Sequence, residues 1–318
     1  MDAMMLEIKN LRVRLRVEGE PRTVIHDTSF TIGAGEAFGL IGESGSGKSM
    51  TARAVARLLP EGAECTGEIA FAGKPVLALK PDELRRYRVD DVAMIFQDPR
   101  ASINPVRTVG DFLTEAARTN FGMRRREAED KAVALLAEVG IADGGRRLKQ
   151  HPHQLSGGLL QRVMIASALM GDPKLLLADE PTTALDVTTQ SEVMGILNRL
   201  RAEHGVAMLF ITHDLELAGA VCDRIGVMYA GSIVETLSSD ALHEAARHPY
   251  TQGLLTSRPS LTATTRRLPV IPGKPLSAFE APGGCAFAPR CAHVIAQCRE
   301  SGPEFVDGVR CHRVGELS

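Results

Sequence analysis

The stretch GEAFGLIGESGSGKSM, residues 35–50, decides the fold. Its first half is an apolar run that predicts a buried strand, and residues 42–49 fit the G-x-x-x-x-G-K-[ST] pattern of a phosphate-binding loop. A helical pattern follows over residues 49–59 and stops at Pro60. A glycine-rich turn between a strand and a helix directs backbone N–H groups at phosphate oxygens, and the helix N-terminus adds positive charge. The sequence therefore predicts an α/β fold with a nucleotide phosphate site.

The expected ligand of this loop is the phosphate chain of a nucleotide together with Mg²⁺. Lys48 should reach the terminal phosphates, and the Ser49 hydroxyl should hold Mg²⁺. The residues expected to bind the nucleotide here are Gly42, Ser44, Gly45, Ser46, Gly47, Lys48, Ser49 and Met50.

A second apolar run, LLLADE at residues 175–180, ends in two carboxylates. Ligands of open α/β sheets collect at the carboxyl ends of the strands, so we expect both side chains near the nucleotide. Asp179 is the candidate Mg²⁺ ligand, and Glu180 is the candidate base for the attacking water. An acidic pair after a strand is often only a helix cap, so the assignment depends on the phosphate loop.

The remaining pattern suggests how the chain is organised. Residues 6–41 read as short alternating strands, and compact apolar runs at 92–97, 174–180 and 206–214 are typical of strands in a parallel sheet. Residues 109–171 look mostly helical, which predicts a helical subdomain inserted into the α/β core. Proline and glycine become frequent after residue 255. We therefore expect a nucleotide-binding domain over 1–255 and a small cysteine-rich C-terminal extension over 256–318.

Composition excludes several classes of protein. The 318 residues are 44% hydrophobic and 24% charged, as in ordinary globular proteins. The formal net charge of −2 gives no basic field for nucleic acid, so no nucleic-acid partner is expected. The chain shows neither an apolar run long enough to cross a bilayer nor a signal-peptide core.

The stretch LSGGLLQR, residues 155–162, resembles the LSGG signature of ABC ATPases. Ser156 is expected to cap a helix, while Gly157 and Gly158 expose N–H groups at a second anion-binding helix end. The resemblance implies a P-loop ABC ATPase core in which ATP is sandwiched between the phosphate loop of one subunit and the signature of another.

Other landmarks of this family follow in order. Gln97 in IFQDP resembles the Q-loop, residues 184–186 (ALD) the D-loop with Asp186, and His213 in ITHD the switch histidine. The resemblance implies that Gln97 senses Mg²⁺ and water and that His213 contacts the γ-phosphate and aligns Glu180. Leu15 stands where the family tends to have an aromatic residue that stacks on adenine, which implies weaker or less selective adenine binding.

Five segments resemble the peptide and nickel branch of bacterial ABC importers: GESGSGKS, MIFQDPRASINP, HPHQLSGG, ADEPTTALDV and RHPYTQGLL. The resemblance implies a peripheral ATPase on the cytoplasmic face of the inner membrane. Its implied partners are a second ATPase subunit, two permeases and an extracytoplasmic solute-binding protein. The expected cargo is a di- or oligopeptide; nickel, metallophore complexes and glutathione-like compounds remain alternatives. A soluble ABC ATPase outside transport is a rival, although such proteins usually carry a long coiled coil or two cassettes.

Four of the six cysteines crowd the last tenth of the chain, at Cys285, Cys291, Cys298 and Cys311. Their spacing is not the C-x2-C of zinc ribbons or bacterial ferredoxins. It resembles the GC-x-F-x-PRC extension of peptide-importer ATPases, which implies a [4Fe-4S] cluster. Thiolates suit zinc equally well, and unmetallated thiols are a third alternative. A redox protein built on these cysteines is hard to reconcile with a complete set of hydrolytic motifs.

Overall fold

The computed structural model describes residues 4–183, 185–257 and 270–316. Its strands are β1 (Met4–Val17), β2 (Glu20–Gly33), β3 (Ala37–Ile41), β4 (Glu64–Phe71), β5 (Lys74–Pro75), β6 (Val92–Ile95), β7 (Leu175–Asp179), β8 (Ala207–Thr212), β9 (Arg224–Tyr229) and β10 (Ser232–Ser238). Its α-helices are α1 (Lys48–Val55), α2 (Pro81–Arg86), α3 (Pro99–Ser102), α4 (Val109–Asn120), α5 (Arg125–Glu138), α6 (Gly144–Arg147), α7 (Gly157–Leu169), α8 (Val187–His204), α9 (Leu215–Val221), α10 (Pro249–Thr256) and α11 (Ala296–Glu300).

The chain forms two compact units. The first, which we term the phosphate-loop unit, comprises Leu6–Thr31, Ala37–Leu77 and Ile211–Ser318. The second, the carboxylate unit, comprises Met1–Met5, Ile32–Glu36 and Ala78–Phe210. Both combine strands with helices, as the predicted α/β class requires.

In the phosphate-loop unit the strands lie in the order β5-β4-β1-β2-β10-β9-β3. Strand β3 is buried along its whole length, and it runs parallel to β9 with Leu40 opposite Gly226. Phe38 on this strand stacks against Phe30 with ring centroids 4.7 Å apart. This apolar strand leads directly into the glycine-rich loop, so the packed core fixes where the loop begins.

Two features of this unit differ from the sequence prediction. The segment read as short strands contains two strands of 14 residues, β1 and β2. A bulge between Lys9 and Arg12 shifts the register of β1, so Ile8 and Leu11 are both buried and the two-residue alternation is lost. The helix predicted over 49–59 ends at Val55, because Arg57 takes a left-handed φ of 56° before Pro60 is reached.

In the carboxylate unit the strands lie in the order β8-β7-β6, with β6 parallel to β7. Strand β7 (LLLAD) is buried at every position, which explains its unbroken apolar run. Helices α4, α5, α6 and α7 occupy the region predicted to be helical, and α5 packs against α4 and α7. None of the helices in the described part of the chain is both long and apolar enough to cross a membrane.

Candidate functional site

The phosphate loop takes a backbone shape that only glycine tolerates at three positions. A Cβ on Gly42 would lie 2.1 Å from the carbonyl oxygen of Met228, so no side chain fits there. Gly45 and Gly47 have φ values of 79° and 106°, in the left-handed region that favours glycine. These conformations turn the loop so that it leads into α1, whose first residue is Lys48.

The lysine of this loop lies folded back against its own backbone. The Lys48 ammonium donates to the carbonyl oxygens of Gly42 at 2.7 Å and Glu43 at 3.0 Å, and its side chain is buried. Ser44 and Gly45 are exposed, Ser46 is buried, and Ser49 and Met50 are half-buried. The loop is thus open at its tip and rigid at its base, as a cradle for phosphate oxygens requires.

In the carboxylate unit the structure brings Gln97 and Glu180 together. The Gln97 side-chain amide donates to Glu180 Oε2 at 3.0 Å, and the Thr183 hydroxyl donates to the same oxygen at 2.8 Å. Asp179 ends β7 and is 3% exposed. Two neutral donors therefore hold the Glu180 carboxylate in a defined position. Sequence analysis did not single out Thr183. Its position three residues after Glu180, within a turn, could have indicated that its hydroxyl reaches the Glu180 carboxylate.

The signature residues open helix α7. Ser156 is the N-cap, and its hydroxyl accepts the Leu159 N–H at 3.4 Å, as predicted. A Cβ on Gly158 would lie 2.4 Å from the Thr189 side chain, so only glycine allows this approach. Thr189 belongs to the first turn of α8, so the signature lies beside the start of that helix.

Asp186 is the N-cap of α8. Its carboxylate accepts the Thr189 N–H at 3.0 Å and the Thr189 hydroxyl at 2.7 Å, and these bonds lower the pKa of Asp186. Ala184, also part of the predicted D-loop, lies outside the described residues. His213 is exposed in the phosphate-loop unit, between the end of β8 and the start of α9. Leu15 is half-buried in β1.

Four residues that sequence analysis did not connect to the loop lie around Glu43. Arg290 forms an ion pair with the Glu43 carboxylate at 2.6 Å, and the Tyr250 hydroxyl accepts the Glu43 N–H at 3.0 Å. Phe287 packs against Tyr229 and Tyr250, with ring centroids 5.3 and 5.4 Å apart. Tyr250 and Arg290 belong to the HPY and PRC motifs, which are far from the loop in sequence.

The four C-terminal cysteines lie near one another in the phosphate-loop unit. The Cys285 N–H donates to the Cys298 carbonyl at 2.8 Å. Burial raises the pKa of the Cys285 thiol to about 11, and neighbouring Cys298 and Cys291 raise it further. Burial likewise raises the pKa of Cys291 and Cys311, each with smaller contributions from other cysteines of the group. Protons therefore stay on these thiols unless a cation compensates the thiolate charge.

The chemistry of the four thiols suits more than one metal. Thiolate sulfur binds both zinc and the iron of iron–sulfur clusters. Cys285, Cys291, Cys298 and Cys311, all free thiols in this structure, therefore fit a metal site of either kind.

Two family models match the chain. The model described as "ABC transporter" matches residues 25–183, and the model described as "Oligopeptide/dipeptide transporter, C-terminal region" matches residues 234–298. The second match contains the HPY motif and three of the four cysteines, so it covers the segment that surrounds Glu43.

Curated relatives are similar along nearly the whole chain. A putative peptide import ATP-binding protein of Brucella abortus is 44% identical over 95% of this chain and 91% of the relative. The oligopeptide transport ATP-binding protein OppD of Escherichia coli is 42% identical over 96% of this chain and 91% of its own length. Among solved structures, the ATP-binding cassette MJ0796, a dimer with ADP and phosphate bound after hydrolysis, matches with a TM-score of 0.66 at 28% identity. That match covers 74% of this chain and 99% of the cassette.

Proposed function

The chain belongs to the ABC transporter ATPases and carries the C-terminal region of oligopeptide and dipeptide transporters, and from this we propose that it energises the import of short peptides. The observation that carries the proposal is a full set of hydrolytic motifs in the same chain as that C-terminal region. We place the protein at the cytoplasmic face of the bacterial inner membrane. Its partners would be a second ATPase subunit, two permeases and an extracytoplasmic solute-binding protein.

ATP is the substrate, and the phosphate loop would bind its β- and γ-phosphates. Backbone N–H groups of residues 45–49 and the Lys48 ammonium would donate to phosphate oxygens. Mg²⁺, when bound, neutralises charge that develops on the phosphates, and Ser49, Gln97 and Asp179 are its proposed ligands. Lys48 would exchange its present bonds to loop carbonyls for bonds to phosphate.

Glu180 is the proposed base. Its carboxylate would orient the attacking water and accept its proton, while Gln97 and Thr183 fix the position of that carboxylate by their hydrogen bonds. His213 would contact the γ-phosphate and align Glu180. Gln97 and Thr183 are neutral donors, so they position the carboxylate without adding a positive charge beside it.

The signature would act on nucleotide bound by the second ATPase subunit. Ser156, Gly157 and Gly158 form the N-terminal end of α7, a 13-residue helix whose dipole favours an anion there. Asp186, at the start of the neighbouring α8, would contribute to the same interface. The related cassette solved as a dimer supports this arrangement.

We also propose a [4Fe-4S] cluster on Cys285, Cys291, Cys298 and Cys311. Backbone N–H groups already point at two of the sulfurs: His293 N–H at Cys291 Sγ, 3.4 Å away, and Arg313 N–H at Cys311 Sγ, 3.5 Å away. Such donors stabilise the charge of a metal-bound thiolate. When bound, the cluster supplies four covalent links among segments that otherwise have little regular structure. We propose that residues 256–318 form this module and residues 1–255 the ATPase domain, with 109–171 as its helical subdomain.

The test is transport in vesicles that contain the chain with its cognate permeases, second ATPase and solute-binding protein. Short peptides should stimulate ATP hydrolysis and accumulate in the vesicles, and neither should occur with nickel chelates or glutathione. If only a nickel chelate stimulated ATP hydrolysis, the assignment of peptides as the cargo would be wrong. ATP hydrolysis that no permease alters would instead favour an ATPase outside transport.

A further inference from the structure

Glu43, the second residue of the phosphate loop, is paired with an arginine from the cysteine-rich segment. Arg290 Nη1 lies 2.6 Å from Glu43 Oε2, and Arg290 Nη2 lies 3.2 Å from Glu43 Oε1. The arginine side chain is 4% exposed and the glutamate side chain 25% exposed. A two-pronged arginine–carboxylate pair that is shielded from water is both strong and directional.

Arg290 is itself fixed in place by Pro272 and Phe287 of this segment and by Tyr229 of β9. Its Nε donates to the Pro272 carbonyl at 2.9 Å, and Nη1 is 3.4 Å from the Tyr229 hydroxyl. The guanidinium also lies over the rings of Tyr229 and Phe287, at 5.8 and 5.9 Å from their centroids. The next residue is Cys291, so the position of the guanidinium depends on the fold of the cysteine module.

The main chain of Glu43 is connected to the same segment indirectly, through Tyr250 and His248. Its N–H donates to the hydroxyl of Tyr250, and the Tyr250 N–H donates to Nδ1 of buried His248 at 3.0 Å. The His248 imidazole in turn hydrogen-bonds the backbone of Arg310, beside Cys311. The side chain of Glu43 is therefore held by the residue next to Cys291, and its backbone is linked through Tyr250 and His248 to the residue next to Cys311.

A carboxylate inside a loop that binds a polyphosphate creates an electrostatic problem. An unpaired Glu43 would repel the triphosphate and would be free to take Lys48 as its partner, whereas the ion pair with Arg290 cancels its charge and directs it away. We propose that Arg290 is a positioning residue for MgATP binding: by neutralising Glu43 and holding the first turn of the loop, it makes nucleotide affinity depend on the cysteine module. The inference rests on the proposed function only in that this loop binds ATP.

The first test compares two arginines of the same module by calorimetric titration of the full chain with MgATP. Arg290→Gln should weaken binding about five- to tenfold, since it leaves a partly buried carboxylate unpaired beside the phosphates. The matched control is Arg310→Gln, because Arg310 pairs with Asp27 at 3.5 Å and donates to the Ile233 carbonyl but does not touch the loop. It should lower the unfolding temperature and leave the MgATP dissociation constant within about twofold of wild type.

The second test asks whether the negative charge of Glu43 causes the loss of MgATP affinity in Arg290→Gln. Adding Glu43→Gln to Arg290→Gln should restore most of the lost affinity, because the repulsive carboxylate is gone, and Glu43→Gln alone should bind MgATP at least as tightly as wild type. The weakening in Arg290→Gln should also shrink at high salt, which screens the repulsion. If Arg290→Gln does not fold, two other variants test the proposal. Glu43→Gln should bind MgATP at least as tightly as wild type, and the charge-retaining Arg290→Lys should bind it more weakly than wild type.

Three results would overturn the proposal: unchanged affinity in Arg290→Gln, an equal loss in Arg310→Gln, or a Glu43→Gln variant that binds as weakly as Arg290→Gln. The titration uses neither peptide nor permease, so a wrong cargo assignment cannot alter it. Conversely, a titration that contradicts this proposal would not change the interpretation of the vesicle transport assay.

Discussion

At the scale of single residues, the backbone of Glu180 takes a conformation that few residues other than glycine adopt. Its φ is 45°, in the left-handed region, which costs about 1–3 kcal/mol for a residue other than glycine. The hydrogen bonds from Gln97 and Thr183 offset this strain and keep the carboxylate in one place. Strain that neighbouring groups maintain is common where a group must be positioned for chemistry.

Replacing Glu180 with Gln should abolish turnover and preserve binding. The amide cannot accept a proton from water, so kcat should fall about 100- to 1000-fold, while the MgATP dissociation constant should change by less than about threefold. Hydrolysis is measured in the assembled complex with the second ATPase subunit inactivated. Glu115→Gln, in an exposed carboxylate of α4 that pairs with Arg107, is the control and should match wild type. Near-normal turnover in Glu180→Gln would mean that another group is the base.

Residues that form contiguous motifs could be predicted, and residues that depend on distant partners could not. Gly42, Lys48, Asp179 and Glu180 are recognisable because strand, turn and helix place them locally. The pairing of Glu43 with Arg290 spans 247 positions. Nothing in GESGSGKS indicates that its glutamate needs an arginine, because that need arises only when the chain folds.

At the scale of elements, the HPY segment at the start of α10 connects several parts of the phosphate-loop unit. His248 is the N-cap of α10, and its Nδ1 accepts the Tyr250 N–H. The buried Glu235 carboxylate accepts the N–H groups of Arg247 at 2.7 Å and His248 at 3.2 Å. In the sequence this stretch stood out only through the resemblance of RHPYTQGLL to the peptide and nickel branch of ABC importers. Its connections to β10, to Arg310 and to the phosphate loop follow from tertiary contacts that no local pattern encodes.

Burial of His248 predicts a pH dependence of stability. Burial lowers the pKa of His248 to about 3 in the folded chain, whereas an unfolded histidine titrates near pH 6.5. Between these values the unfolded chain binds the extra proton, so the free energy of unfolding should fall as pH falls, by up to about 1.4 kcal/mol per pH unit from this group. Above pH 6.5 the contribution is constant.

The measurement is urea unfolding of wild type and His248→Asn between pH 7 and pH 5. Asparagine supplies a side-chain acceptor for the helix cap but does not titrate. The free energy of unfolding of His248→Asn should therefore decline less steeply than that of wild type as the pH falls. His243→Asn is the control, since the His243 side chain is 63% exposed and pairs with exposed Glu216. Parallel declines of wild type and His248→Asn would show that His248 is not buried as described.

At the scale of the whole chain, the cysteine module is attached to the phosphate-loop unit by a few specific contacts. The Thr236 N–H donates to the Gly308 carbonyl at 2.7 Å and the Arg310 N–H to the Val234 carbonyl at 2.8 Å, which ties the C-terminal segment to β10. Between residues 270 and 316 the only α-helix among the described residues is α11, of five residues. So small a core supplies little stability of its own, and segments of this size usually need a covalent or metal link.

The last prediction concerns that link. Protein purified without oxygen should be brown and should contain about four iron atoms per chain, as ligation by four thiolates implies. Cys291→Ser and Cys298→Ser should lose the colour, and protease should then cut within residues 256–318, because metal binding and folding are coupled in so small a module. Residues 258–269 and 317–318 of this range lie outside the described part of the chain.

The control is Cys65→Ser, a half-buried cysteine in β4 that belongs to the same unit but not to the module; it should keep both the iron and the protease resistance. MgATP affinity should fall in the two iron-free variants, since Arg290 adjoins Cys291, but hydrolysis at saturating ATP should fall much less than in Glu180→Gln. Stoichiometric zinc without iron would overturn the cluster and leave the stabilising link intact. Iron-free variants that resist protease as well as wild type would show that the module folds without a metal, and its stability would then have to come from Phe287, Arg290 and the pairing with β10.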